Sequence, residues 1–414
     1  MQLLTRKNLL ILLLAFILFT VSVVGMYTFF TAENPGANDF YPRWKGTQLF
    51  WQEGTDPYSQ EATEAIQRGI YGGNLARPDQ DQVLFVYPFY TVFLLWPLIN
   101  LDYAWVQAIW LVIVQFSLIG GMILTLRLLE WRQPPWLLAI TLLWSVIMYN
   151  STRTIILGQF AGPIFLWLAG TLLALKHDRD VLAGALLSLT TLKPQMSYLI
   201  IPALLLWAVW HQRWRFVAVF AGAMALLAGL SFLLLPSWLT GFIDQVRFYP
   251  AYTVTPSPLR VITSTFFPQL GQPVEYILIG LLLLVMFWQW WQLRGADWPA
   301  EPAGHAEPAE AHKFLFIISL TLIVTNTVIV RTATTNYVIM YIPLFLLLHT
   351  ISQRWRGGNV WVAGLLLVLL VSTWALFLAT IQGDFEHPVT YLPLPIGLLL
   401  GLIWLSRQKD YVNF

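Results

Sequence analysis

The chain has no cysteine, which excludes disulfides, thiolate chemistry and Cys-ligated metal. Charge is scarce as well. Only 11% of the 414 residues are Asp, Glu, Lys or Arg, against about 25% in an ordinary soluble domain. The net charge of +2 gives no electrostatic case for nucleic acid. The six histidines (His177, His211, His305, His312, His349, His387) form no His-x-x-x-His pair, so a His-based zinc site has no support. No Ser-His-Asp grouping, phosphate-cradling Gly loop or Asp-x-Asp metal motif is present, and no cofactor is called for.

What remains is apolar: 57% hydrophobic residues, a mean hydropathy of +0.65 and 21 Trp. Many of these aromatics sit at the ends of apolar runs, where a membrane interface would be. The chain therefore reads as an all-α polytopic membrane protein, one integral-membrane domain over 1–414. Arg6 and Lys7 precede a first span at 8–30, which places the N-terminus in the cytoplasm. The run is longer than a signal-peptide core, so it reads as a retained helix. Residues 31–83 then fall outside, with eight acids against four bases. Two amphipathic interface helices are predicted there, over 40–52 and 59–70. Residues 83–99 are apolar but broken by Pro88 and Pro97. Treating them as a re-entrant or surface segment keeps the later basic connections inside. Further spans follow over 104–235 and 273–406, about twelve in all (11–13), with a cytoplasmic C-terminus. An outer loop is expected at 236–272 and a flexible cytoplasmic linker at 294–313.

Several helices ending outside are short; 181–193 would rise only about 20 Å against a core of about 30 Å. A depression on the outer face is the expected result. The short outer connections carry three bases, Arg153, Lys193 and Arg331, each among hydroxyl and amide residues. Charge near hydrocarbon costs about 2.5–3.5 kcal/mol and persists where it finds a partner. Snorkelling is the structural alternative; a phosphate site is the functional one. Asp39, directly after the first span, fits a helix N-cap before Pro42 or a general base at the mouth of the depression, and the two are compatible. Asp56, in Gly54-Thr55-Asp56-Pro57-Tyr58, fits a turn and cap residue. His387 is either a solvated loop residue or a sugar contact.

The ordered set Asp39-Phe40-Tyr41, Gly54-Thr55-Asp56-Pro57-Tyr58, Val86-Tyr87-Pro88-Phe89, Leu157-Gly158-Gln159 and Leu192-Lys193-Pro194 resembles glycosyltransferase family 87, over roughly residues 1–210. That family includes polyprenol-phosphate-mannose-dependent α-mannosyltransferases of the membrane-embedded GT-C type. Its members often carry Tyr-Pro-Pro where this chain has Tyr87-Pro88-Phe89, and Asn soon after Gly-Gln where this chain has Phe160-Ala161. The resemblance implies a polyprenyl-phosphate-linked hexose donor, a lipid or cell-envelope glycan acceptor, an active site facing outside, inversion at the anomeric carbon and no obligatory metal. It matches Asp39 to the catalytic aspartate of the first loop, brings Lys193 toward the donor phosphate with Arg153 or Arg331, and makes Gln159 a polar donor contact. Tyr41, Trp44 and Tyr87 are candidates for stacking on sugar. A flippase of lipid-linked sugar would share the cations and the lipid access. A diphosphate-dependent glycan ligase would lean on Arg247, Arg260 and His387.

Overall fold

The computed structural model describes the chain apart from residues 1–5, 35, 37, 254–255, 297, 299–307, 330, 382–385 and 408–414. The regular structure of the described residues is helical, with one isolated bridge between Pro256 and Arg331. The N-terminal part runs α1 (Arg6–Met26), α2 (Tyr41–Glu53), α3 (Gln60–Ile70), α4 (Thr91–Leu95) and α5 (Tyr103–Leu128). The middle holds α6 (Pro135–Ile147), α7 (Tyr149–Ile156), α8 (Ala161–Lys176), α9 (Asp180–Leu189), α10 (Ile200–Trp210), α11 (Trp214–Leu234), α12 (Trp238–Tyr252) and α13 (Pro258–Val261). The C-terminal part is α14 (Gly271–Gln292), α15 (Pro308–Val328), α16 (Tyr341–Arg354), α17 (Gly358–Thr380) and α18 (Pro393–Ser406).

Seven helices are long and apolar enough to cross a membrane, or up to eight if the bent pair α7 and α8 is one span. The sequence-based expectation of about twelve differs because four further apolar helices have only 10–17 residues, about 15–26 Å of rise. The expected break between spans at 150–155 lies elsewhere too: α7 starts at Tyr149 and meets α8 at a 120° bend. Burial is uneven. Only 6% of the windows in Leu12–Thr31 and Trp214–Leu234 is buried, against 83% in Thr334–Arg354. The first two present their side chains outward; the last is the centre of the bundle.

Helices stand at both expected places after the first span, as α2 and α3. Ser59 rather than Asp56 starts α3, its hydroxyl accepting the Ala62 N–H at 3.1 Å; such a cap is worth about 1 kcal/mol. Residues 83–99 carry one short turn of helix, α4, and a 3₁₀ turn at Trp96–Leu98. The stretch 236–272, expected as a loop, is largely helical. Its α12 lies on the first loop: Gln245 accepts the Val86 N–H at 2.8 Å, and Gly241 abuts the Tyr58 side chain, leaving no space for a Cβ. Of the linker expected at 294–313, residues 297 and 299–307 lie outside the described residues, and 308–313 form the first turns of α15.

The paired helices α5 and α8 form the spine that positions the site. Gly121 faces the Phe165 ring, too close for a Cβ, and Gly162 faces the Val114 backbone, where a Cβ would be tight at 3.1 Å, so the two helices pack closely. At one end α5, α8 and α10 stop in the same way. Trp131 donates to Leu126 O at 2.9 Å, Arg179 to Ala174 O at 2.9 Å and Arg213 to Ala208 O at 2.8 Å, the Schellman closure of a helix C-terminus. The left-handed residue in each is not glycine: Glu130 (φ 54°), Asp178 (φ 52°) and Gln212 (φ 55°). The helix α7 ends with the same closure, Gln159 donating to Thr154 O at 2.9 Å, but with Gly158 (φ 65°) at the left-handed position.

Candidate active site

Asp39 does not cap α2. The residue before that helix is Phe40, and no side chain caps it. The half-buried Asp39 instead uses Oδ2 to accept from Gln159 Nε2 at 2.6 Å. The other end of the same amide, Oε1, accepts from Lys193 Nζ. Asp39, Gln159 and Lys193 are thus one chain of carboxylate, amide and ammonium. The amide orientation is the only one the chemistry permits, because a carboxylate accepts and an ammonium donates. No hydrogen bond reaches Asp39 Oδ1 among the described residues.

Local sequence explains the meeting. Phe40 follows Asp39, Phe160 follows Gln159, and both rings rest on Trp110, with centroids at 4.6 Å and 4.5 Å. The Trp110 N–H binds Gly158 O at 2.7 Å, fixing the turn that aims Gln159. Lys193 sits between the 3₁₀ turn Thr190–Leu192 that ends α9 and Pro194, and is 3% exposed. The Tyr90 hydroxyl ties this corner to the first loop, donating to Thr191 at about 3 Å. Burying an ammonium without a counter-ion in contact is costly; the amide oxygen of Gln159 offsets part of that cost.

Around this chain lie residues that the sequence did not single out. Arg43, one turn beyond Asp39, donates to Asp39 O at 2.7 Å and lies over the Tyr87 ring at 4.4 Å. Its Nε is buried without a hydrogen-bond partner. Asp81 keeps an exposed edge, yet burial raises its carboxyl above the usual range; the Val83 N–H opposes this, the Asp39 charge adds to it and Arg43 opposes it. The Tyr249 hydroxyl, on α12, is raised by burial first and then by Asp39 and Asp81. The position of Arg43 four residues after Asp39 was a usable signal. Asp81 and Tyr249 are brought in by distant segments and left none.

The other sequence-derived candidates are distributed as follows. Arg153 is not in the chain: its Nε pairs with Glu386 at 3.1 Å. The same carboxylate oxygen accepts from Tyr149 at 2.6 Å and Thr334 at 2.7 Å. Arg331 donates to Thr253 O at 2.7 Å and Pro250 O at 3.0 Å, strapping the end of α12. His387 Nδ1 caps the turn Pro388–Tyr391 through the Val389 N–H. Trp44 is buried and its N–H binds Leu98 O at 3.1 Å. Tyr41 packs edge-on against Tyr103 at 4.7 Å, and Tyr87 lies beneath Arg43. Asp56 accepts the Tyr58 N–H at 2.8 Å, a turn contact. No group of three or more His, Asp or Glu comes together among the described residues.

Residues 85–306, just over half of the chain, match the model of glycosyltransferase family 87. The chain belongs to glycosyltransferase family 87. It is a multi-pass membrane glycosyltransferase. No curated protein and no solved structure matches it. The matched region of family 87 holds Tyr87, Arg153, Gln159 and Lys193 and reaches well past the 210 expected from motifs, whereas Asp39, Arg331 and His387 lie outside it.

Proposed function

We propose that the protein transfers a hexose, mannose being the sugar the resemblance favours, from a polyprenyl-phosphate donor to a lipid or cell-envelope glycan. The observation that carries this reading is the chain Asp39–Gln159–Lys193. Asp39 Oδ1 accepts the proton of the acceptor hydroxyl. That oxygen bonds to the anomeric carbon from the face opposite the phosphate, inverting it, while the bond from carbon to phosphate oxygen breaks. The polyprenyl phosphate monoester leaves with the electron pair. Lys193 and Arg43 stabilise its growing charge; both are buried or half-buried cations without a carboxylate in ion-pair contact among the described residues, and an anion would complete their coordination. Fixed cations then do the work a metal does elsewhere. Arg331 holds the wall of α12, and Arg153 serves Glu386.

In this reading both termini are cytoplasmic and Asp39 faces outside, because the basic connections Arg127/Arg132, Lys176/Arg179 and Arg213/Arg215 lie at the opposite end of α5 and α8. The prenyl tail enters sideways from lipid, past the short helices α9 and α10.

The test is transfer of radiolabelled hexose from a polyprenyl-phosphate donor by purified protein in detergent. General-base help is worth about 10²–10⁴-fold, so Asp39→Asn should lose at least two orders of magnitude in kcat while keeping its melting temperature. Lys193→Met should mainly raise KM for the donor. Wild-type rates in Asp39→Asn overturn the assignment. Translocation of labelled lipid without any transfer would establish a flippase instead.

A further inference from the structure

At the end of α5 and α8 away from Asp39 lies an open groove of about 1220 Å³ between α5, α6 and the end of α8. Ile123, Leu138, Leu142 and Leu173 form the apolar part of its wall, beside a polar part that includes Gln133 and His177. Its rim carries Arg127, Arg132 and Arg179, all exposed. The two acids on the same rim are engaged elsewhere, Glu130 with Lys176 at 2.7 Å and Asp178 with Arg213 at 2.8 Å. The three guanidiniums have no ion-pair partner among the described residues. Gln133, also on the lining, has its amide oxygen and nitrogen both shielded and both without a hydrogen-bond partner, an unfavourable state for a polar group. Trp136 and Trp214 flank this end, 46% and 58% exposed, as tryptophans at the level of lipid headgroups are.

We propose that this groove is a binding site for one anionic diacyl phospholipid, its phosphate between Arg127, Arg132 and Arg179 and its acyl chains along Leu138, Leu142 and Ile123. Charge complementarity selects the occupant. The walls exclude a wholly polar ion as the preferred guest, and the rim prefers an anionic headgroup to a zwitterionic one. Rotation of the Gln133 side chain offers the headgroup a donor and an acceptor. This site is independent of the sugar-transfer reading, since it lies at the far end of the spine.

The test is native mass spectrometry and thermal shift of the full-length protein in neutral detergent with added phosphatidylglycerol or phosphatidylcholine. Phosphatidylglycerol should be retained and should raise Tm; phosphatidylcholine should do neither. The triple substitution Arg127→Gln, Arg132→Gln, Arg179→Gln should lower retention by at least about tenfold. Two changes that keep the charge, Gln133→Leu and Leu142→Trp, should also lower it. Those two separate a built site from general attraction to a basic surface and serve if the triple variant does not fold. Undiminished retention in Gln133→Leu and Leu142→Trp overturns the proposal. So does an equal Tm rise with inorganic phosphate alone, which would make this a free-phosphate site.

Discussion

Two buried charge networks stand in this protein, and they handle a cation in opposite ways. Arg153 meets Glu386 directly, and Tyr149 and Thr334 fill the same carboxylate oxygen. Lys193 and Asp39 are kept apart by the amide of Gln159. In the first arrangement the charges cancel directly, although Arg153 Nε meets Glu386 outside hydrogen-bond geometry, and breaking such a pair costs about 3–5 kcal/mol. The second is incomplete by construction. The amide satisfies one hydrogen bond on each side, leaving a carboxylate oxygen and most of an ammonium uncommitted. A direct pair holds elements together, as Glu386 holds α7 to the segment after Thr334. A spaced pair is a place for something else to bind. Sequence alone ranked Arg153 beside Lys193, because both are lone bases near short helices; only the partner separates them.

The comparison breaks most sharply through the two acids. Asp39→Asn should cost 10²–10⁴ in kcat with little change in Tm, whereas Glu386→Ala should do the reverse, losing about 3 kcal/mol of stability by leaving Arg153 uncompensated. Both are read from one preparation by transfer rate and thermal unfolding. If Glu386→Ala removes activity with stability intact, the two networks are not distinct in role. Next comes the turn that aims the spacer. Gly158→Ala forces a side chain into the left-handed region, costing roughly 1–2 kcal/mol, and should lower kcat more than it lowers Tm because Gln159 is misdirected.

Smaller effects sharpen the picture. Asp81 has a folded pKa above its unfolded value. Its native carboxyl holds its proton to higher pH than the unfolded chain does, so stability falls as pH rises from the ordinary carboxylate range through the raised folded value. Asp81→Asn cannot titrate. Its Tm should match wild type below that window and exceed it above; a Tm difference independent of pH would contradict the effect. The smallest change is Gln212→Gly, at a cap of the same kind as Gly158 but remote from the site. It should raise stability by up to about 1 kcal/mol and leave kcat alone.

Lys193 was legible as a lone charge out of place beside apolar helix, Asp39 as a carboxylate directly after the first span, and Gln159 through the family resemblance; the short helix ending at Lys193 was legible from its length. Their contact was not, because it depends on Trp110, which reads as one more aromatic in a long apolar run. The helical class was equally plain from composition. The span count was not, since hydropathy sees apolar runs and not the corner between α7 and α8, where Gly158 closes one helix and the next begins at Ala161. The charges of Arg153 and Arg331 were visible, but their occupation by Glu386 and by backbone carbonyls depends on segments more than 70 residues away.

That corner also sets a rule of spacing. Gly158 and Phe160 are both tied to Trp110, so Gln159 is held between two fixed points only one residue to either side. An added residue on a helix turns everything beyond it by about 100°, and no slack exists here to absorb it. The interval from Tyr149 to Phe160 therefore acts as a ruler: a single insertion or deletion within it would swing the amide away from Asp39 and Lys193 while leaving the composition of the segment almost unchanged.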